Sequence, residues 1–270
     1  YYKMSIDKGF PAAMNNYADM LVDGKGIEVN YIEALKYYKM ASDKDYPISM
    51  HNYANMLLNF EGIEVDYKEV AKYFKMAADK GIVISMNNYA TMVQGGKGVE
   101  VNYEEAIKYL KMAIDKGSPV AMYNYASMLE DGEGVEVNYE EAFKYYKMAS
   151  DSGLPNAMNK CAYMYHHGQG VEVNYEEAIK YYMMAINNGN VNSMLNYANM
   201  LKFGEGVDVN YNLASKLLKI ASDKGHPVAM NNYAMMLENG KGVEVDYKEA
   251  FKYYKMASDE GFPTAMNNYA

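Results

Sequence analysis

Apolar residues recur along the chain in the three-and-four spacing of amphipathic helices. After Pro11, the positions that share one helical face are Ala13, Met14, Tyr17, Ala18, Met20 and Leu21. The opposite face carries Asn15, Asn16, Asp19 and Val22. Proline suits the first turn of a helix, and Gly24 supplies the backbone freedom that ends one. The pattern predicts a helix over about residues 12–22, which we call helix A.

A second helix, helix B, is predicted after a glycine-containing loop. Asn30 and Glu33 form a capping-box pattern, in which each side chain bonds the backbone N–H of the other residue. One apolar stripe then carries Tyr31, Ala34, Tyr38 and Ala41, and a second carries Tyr37 and Met40. The exposed stripe is predicted at positions 32, 36, 39 and 43. Because a helix with two apolar stripes needs two neighbours, helix B is predicted to pack on its own helix A and on the next repeat.

The whole pattern recurs every 36 residues without insertion or deletion. The second loop glycine recurs as Gly26, Gly62, Gly98, Gly134, Gly170, Gly206 and Gly242. A small core residue recurs as Ala18, Ala54, Ala90, Ala126, Ala162, Ala198, Ala234 and Ala270. We predict an all-α solenoid of seven and a half helix-turn-helix repeats. It would form a single array over residues 1–270 that is truncated within a repeat at both ends.

The unit AMNNYADMLVDGKGIEVNYIEALKYYKMASDK resembles the Sel1-like repeat, a relative of the tetratricopeptide repeat. Ala13 corresponds to the opening alanine of the family pattern, and Gly24 and Gly26 to its glycine pair. The second half is matched by Ala34, Tyr37 or Tyr38, Met40 and Ala41. The departures are exchanges among core residues, namely Tyr17, Ala18 and Leu21. The resemblance implies a right-handed α/α superhelix that serves as an adaptor, as in endoplasmic-reticulum degradation and in bacterial and protist signalling.

Composition narrows the classes of partner and compartment. All 26 basic residues are lysine and the net charge is −9, so a nucleic-acid partner is not expected. No apolar run of about 18 residues exists, so no membrane span is predicted. The single cysteine excludes an internal disulfide. A lone thiol and the lack of a secretion segment favour the cytoplasm, whereas the resemblance leaves the endoplasmic-reticulum lumen open.

Catalytic groups would be expected where the repeat pattern is broken. The main departure is a cluster of Lys160, Cys161, Tyr163, Tyr165, His166 and His167. The five-residue separation of Cys161 and His166 fits one helical face poorly, and further metal ligands with suitable spacing are missing. We predict no enzymatic activity, no cofactor and no metal site. A metal-dependent or thiol enzyme centred on Cys161, His166 and His167 is the alternative, and the isolated His51 and His226 are predicted to be surface residues.

The remaining candidate for function is the exposed face of the A helices. An asparagine row along this face can bond the backbone of an extended peptide, or it can bond a neighbouring helix and serve packing. Positions equivalent to 19 and 22 vary between repeats, as on a recognition surface or under relaxed drift. The predicted partner-binding residues are Asn16, Asn52, Asn88, Asn124, Asn196, Asn232, Tyr163 and His166.

The predicted function is that of a protein-protein interaction adaptor or scaffold, in signalling or in protein quality control. Protein or peptide partners would bind on the superhelical surface. Oligomerisation through the uncapped ends and an inert structural spacer remain open alternatives.

Overall fold

The computed structural model describes residues 1–60 and 64–269, and these residues form sixteen α-helices and no β-strand. Gly62 and Ala270 of the predicted glycine and alanine rows lie outside the described residues. The helices are α1 (Tyr2–Asp7), α2 (Pro11–Asp23), α3 (Tyr31–Ser42), α4 (Pro47–Asn59), α5 (Tyr67–Asp79), α6 (Val83–Gln94), α7 (Tyr103–Asp115), α8 (Pro119–Asp131), α9 (Tyr139–Asp151), α10 (Pro155–His167), α11 (Tyr175–Asn187), α12 (Val191–Phe203), α13 (Tyr211–Asp223), α14 (Pro227–Asn239), α15 (Tyr247–Asp259) and α16 (Pro263–Tyr269).

The predicted all-α repeat fold is confirmed. From α2 onward, the even-numbered helices are A helices and the odd-numbered ones are B helices, so that repeat 1 contains α2 and α3 and repeat 7 contains α14 and α15. Each hairpin recurs after 36 residues, which is the arrangement of a helical solenoid. None of the described helices is both long and apolar enough to cross a membrane.

The helices form two compact units. The N-terminal unit comprises Tyr1–Glu136, and within it each helix from α1 to α8 packs on the next one in sequence. The C-terminal unit comprises Val137–Ala270, and its helices from α9 to α16 pack in the same way. The B helices whose two neighbours lie in the same unit, namely α3, α5, α7, α11, α13 and α15, therefore contact both their own A helix and the next A helix in sequence, as their two apolar stripes predict. A single array over residues 1–270 stays a prediction.

Small residues bring the helices of each unit close together. Ala18, Ala54 and Ala90 on the A helices are completely buried, and so are Ala34 and Ala41 on the first B helix. The volume around these alanines is filled by buried tyrosine and methionine side chains. Examples of those side chains are Met50, Met86, Tyr109, Met128, Tyr146, Met164 and Tyr182. The core predicted from the three-and-four spacing is thus confirmed in both units.

The predicted capping box is only half correct. The Asn30 side chain accepts a hydrogen bond from the backbone N–H of Glu33, and the same bond caps every B helix from α3 to α15. The reciprocal bond is not needed at Asn30, because its own N–H already donates to the carbonyl of Leu21 at 2.9 Å. The glutamates that follow the cap are free to contact the preceding repeat instead.

At α5 and α7, a lysine of the preceding B helix bonds this glutamate. Lys75 Nζ lies 2.8 Å from Glu105 Oε1 and 2.7 Å from the Tyr109 hydroxyl, and it sits over the rings of Tyr89 and Tyr109. The bond from Lys75 lowers the pKa of Glu105. Lys39 contacts Glu69 at 2.9 Å in the same way one repeat earlier. These contacts join consecutive repeats through residues that the sequence assigned to a helix cap or to an exposed stripe.

The prediction that Tyr31 belongs to a buried stripe is wrong. Its side chain is 42% exposed, because the first residue of a B helix projects beyond the hairpin. At the equivalent position Tyr67, the backbone serves packing, since it lies against Gly98, the second loop glycine of the next repeat. A Cβ atom added to Gly98, which has φ of +75°, would collide with the carbonyl group of Tyr67. Gly26 has φ of +76° and faces open space.

Alanine substitutions at Gly26 and Gly98 distinguish two costs, the strain of a left-handed backbone and the collision of an added Cβ atom with a neighbouring repeat. We expect Gly26→Ala to lower the free energy of unfolding by about 1–2 kcal/mol, the cost of a left-handed alanine. Gly98→Ala should cost roughly 1–3 kcal/mol more, because its Cβ must displace the start of α5. Urea unfolding followed by circular dichroism measures both. Equal losses of stability in the two variants would show that the loop contact does not contribute.

Candidate interaction surface on the A helices

Asn15, which the sequence places on the exposed face of helix A, is buried and only 4% exposed. Its Oδ1 atom accepts hydrogen bonds from Ser49 Oγ at 2.9 Å and from Asn52 Nδ2 at 3.2 Å, both on the A helix of repeat 2. Its Nδ2 group donates to Asp19 at 2.9 Å. The predicted exposure of Asn15 is therefore wrong, because the side chain joins two adjacent A helices.

The same bond recurs every second repeat. Asn124 donates to Asn87 at 2.8 Å, Asn196 to Asn159 at 3.2 Å and Asn268 to Asn231 at 2.9 Å. The acceptors Asn15, Asn87, Asn159 and Asn231 are 72 residues apart. The 72-residue spacing of these asparagines is visible in the sequence, but a comparison of single 36-residue repeats does not reveal it, because it compares each repeat with every other one.

The predicted asparagine row consequently divides into two classes. Asn52, Asn124 and Asn196 each bond the preceding repeat, so one amide group of each serves packing. Asn16 is exposed, and Asn88 and Asn232 are half-buried. A role of these three residues in partner binding stays a prediction. The same holds for the side-chain atoms of Asn52, Asn124 and Asn196 that do not bond the preceding repeat.

Tyr163 and His166 lie in a cluster of rings at the end of α10. The Tyr163 ring stacks on His167 with centroids 4.0 Å apart, and His166 meets Tyr175 edge-on at 5.7 Å. His166 Nε2 lies 2.9 Å from Glu205 Oε2 in the next repeat, and the His166 side chain is only 12% exposed. Burial lowers the pKa of His166, and His167 adds to this effect while Glu205 opposes it. In this pair His166 Nε2 is the donor, because a carboxylate oxygen can only accept.

An open groove lies between the A helices of repeats 1 and 2. It has a volume of about 520 Å³ and is lined by Val22, Tyr31, Tyr38, Asn52, Asn55, Met56, Asn59 and Phe60. In repeat 3 the position of Val22 is occupied by Gln94, which donates to Glu133 of the next repeat. In repeat 5 it is occupied by His166, which reaches Glu205. Valine has no polar atom with which to form such a bond.

The structure buries Cys161 in the core of the C-terminal unit. The thiol is completely buried, and burial raises its pKa to about 12, which suppresses the reactive thiolate. Lys147 and Asp151 of α9 are the charged groups that act on it, whereas His166 faces Glu205. Among the described residues, no three His, Cys, Asp or Glu side chains are grouped to hold a metal ion.

His51 and His226 are both partly exposed, but neither is isolated from other side chains. His51 is half-buried against Phe74, and its Nδ1 atom lies 2.9 Å from Ser85 Oγ of the next repeat. His226 caps α14 by accepting from the N–H of Ala229, and its Nε2 atom contacts Asn192 at 3.1 Å. Burial lowers the pKa of both histidines. Each ring therefore joins two repeats, a contact that could not be read from an isolated histidine.

Comparison with known families gives seven consecutive matches along the chain. The sequence profile of the Sel1 repeat matches residues 11–46, 47–82, 83–118, 119–154, 155–190, 191–226 and 227–262. These segments coincide with the helix A–helix B hairpins described above. No curated protein sequence matches the chain at a significant level.

Solved structures share the fold at low sequence identity. A protective antigen of uropathogenic Escherichia coli aligns at a TM-score of 0.85 and 24% identity, over 99% of this chain and 57% of the antigen. A Sel1 repeat protein from Oxalobacter formigenes aligns at a TM-score of 0.83 and 22% identity, over 98% of this chain and 77% of that protein. Yeast Tom70 aligns at 0.58 and 18% identity, over 99% and 56% of the two chains. The chain thus spans little more than half of the antigen and of Tom70.

Replacing Asn15 tests the inter-repeat bond. Asn15→Ala removes the acceptor of Asn52 and of the fully buried Ser49. We expect the free energy of unfolding to fall by about 1–3 kcal/mol, the usual cost of stranded buried donors. The neighbouring Asn16→Ala is the matched control and should change stability by less than about 0.5 kcal/mol. A silent Asn15→Ala in urea unfolding would contradict the structural role.

Thiol reactivity and metal content test the enzyme alternative. We expect Cys161 in the folded chain to react with an aromatic disulfide reagent at least about 100-fold more slowly than in urea, because its thiolate is scarce and enclosed. Elemental analysis should find no stoichiometric zinc. Fast reaction of the folded chain would revive the alternative, as would bound zinc that is lost in Cys161→Ala.

Proposed function

Because the chain belongs to the Sel1 repeat family, we propose that it is a non-catalytic protein-interaction scaffold. In this proposal an extended segment of a partner protein binds along the A helices. The seven matched repeats support it, since this solenoid fold is typical of protein-interaction scaffolds. Burial of Cys161 supports a function without thiol chemistry. An adaptor role in signalling or protein quality control is the form of the proposal that the family resemblance favours.

The observation that carries the proposal is the open groove at Val22. Its walls combine apolar side chains, such as Met56 and Phe60, with the amides of Asn55 and Asn59. An apolar side chain of a partner could enter the groove, while the amides bond the partner's backbone. Asn59 Nδ2 donates to the Asn55 backbone carbonyl at 2.8 Å and to Asn55 Oδ1 at 3.1 Å, so the two amides bond each other.

The surrounding surface has the variability that selective binding requires. The positions equivalent to Val22 are Leu58, Gln94, Glu130, His166, Lys202 and Glu238. Apolar, polar, acidic and basic side chains thus follow one another on A helices whose buried face is nearly uniform. Different repeats within a unit would then contact different parts of a partner.

Selection from a displayed peptide library against the full chain tests this function. Ligands should contain an apolar anchor, and Val22→Arg should weaken them by at least about tenfold, because arginine fills the groove and adds an unpaired charge. Ile32→Arg is the matched control, since Ile32 is 75% exposed on a B helix. It should change affinity by less than about twofold. Failure to select any ligand, or equal effects of the two substitutions, would contradict the proposal.

A further inference from the structure

We infer that the loop edge of repeats 5 and 6 docks a basic segment of a partner protein, in which lysine or arginine alternates with apolar residues. We call this surface the loop ridge and define it as residues 168–176 and 203–212. It lies in the C-terminal unit, at the ends of the hairpins. This surface goes beyond the A-helix groove and takes a different class of ligand.

The loop ridge is continuous because each loop rests on the preceding repeat. A Cβ atom at Gly170 would collide with the backbone of Tyr139, and one at Gly206 would collide with the side chain of Tyr175. The two loops are therefore packed against the starts of α9 and α11, respectively. Consecutive loops and tyrosines present one surface within this unit.

Apolar side chains are exposed along the ridge. Val173 and Val209 are each 52% exposed, Tyr175 is 40% exposed and Phe203 is 67% exposed. Phe203 is peculiar to this repeat, since the equivalent positions hold Asp23, Asn59, Gly95, Asp131, His167 and Asn239. A phenylalanine at a position that is otherwise polar or glycine does not serve the repeat's own packing. Exposed apolar groups of this kind mark contact surfaces.

The charge of the ridge selects a basic ligand. Residues 168–176 and 203–212 contain Glu172, Glu176, Glu205 and Asp208, and no lysine. Lys202, which precedes the second segment, is half-buried with its Nζ 5.4 Å from the Phe203 ring centroid. Glu205 is engaged by His166, which leaves Glu172, Glu176 and Asp208 exposed to a partner. Nucleic acid and anionic lipid are repelled by the same carboxylates.

The chain itself shows how a cation binds at such a tyrosine. In repeat 7, Lys241 reaches back over the ring of Tyr211, with Nζ 5.5 Å from the ring centroid. The residue equivalent to Lys241 one repeat earlier is Glu205, so Tyr175 has no lysine from the next loop above it. A cation of the partner would take the equivalent place over Tyr175, in a segment where Glu172 and Glu176 are both exposed.

Binding of a short basic peptide to the full chain tests the inference. The probe is a fluorescein-labelled octapeptide that alternates arginine or lysine with valine or leucine, and its counterpart carries glutamate at each cationic position. Fluorescence anisotropy should show binding of the basic probe alone, weakening at least about fivefold between low and physiological salt, because exposed charges are screened. Phe203→Ser should weaken the probe at either salt concentration.

Charge reversal at matched positions locates the site. The double variant Glu172→Lys and Glu176→Lys should lose at least about tenfold in affinity, because it places like charges on the docked cations. The double variant Glu100→Lys and Glu104→Lys makes the same change 72 residues earlier and should lose less than about twofold. Both variants should keep the circular dichroism of the parent.

Three results would overturn the inference. They are equal losses in the two double variants, equal binding of the acidic counterpart, and tighter binding of phosphatidylserine vesicles or RNA than of the basic probe. Ligands selected for the A-helix groove should keep their affinity for the Glu172→Lys and Glu176→Lys variant, so this surface and the proposed groove are tested separately.

Discussion

The structure depends on the burial of two sides of each B helix. Ala34 and Ala41 of α3 are completely buried, one B helix later Tyr73 and Phe74 are both buried, and an A helix lies on each side of these helices. A hairpin on its own would expose one of these surfaces to water. Burying a large side chain is worth about 1.5–3 kcal/mol, so the loss of one neighbour removes much of the stability of a short hairpin. Stacking is therefore a condition for folding within each unit.

Polar contacts between repeats fix the alignment of the helices that form this apolar core. The Asn15–Asn52 bond and its equivalents join A helices in every second pair of repeats, while Lys39 and Lys75 join B helices to the next repeat. Buried hydrogen bonds specify one alignment, because a shifted helix would strand their donors and acceptors. Because buried bonds hold this alignment, surface positions such as the groove-lining Val22 and the exposed Phe203 can differ between repeats without disturbing the fold. This separation of core from surface makes the array suitable for selective binding.

The period, the helices and most of the core could be predicted because they depend on residues three or four positions apart. The errors concern side chains whose partners lie in the next repeat. The sequence pattern places Asn15 in solvent, because the two side chains that donate to its Oδ1 atom, Ser49 and Asn52, are 34 and 37 residues away. His166 and Glu205 are separated by 39 residues, so the sequence placed no partner beside the histidine. Tyr31 followed the apolar pattern but lies at the helix end, where one face no longer has a neighbour.

The most direct test of the stacking requirement compares fragments of the C-terminal unit. Residues 155–190 contain one complete hairpin, α10 and α11, and residues 155–262 contain three. Circular dichroism during urea titration should show little helix in the single hairpin and a cooperative transition in the three-repeat fragment, because only the latter covers both sides of a B helix. A single hairpin that is fully helical and unfolds cooperatively would contradict the account.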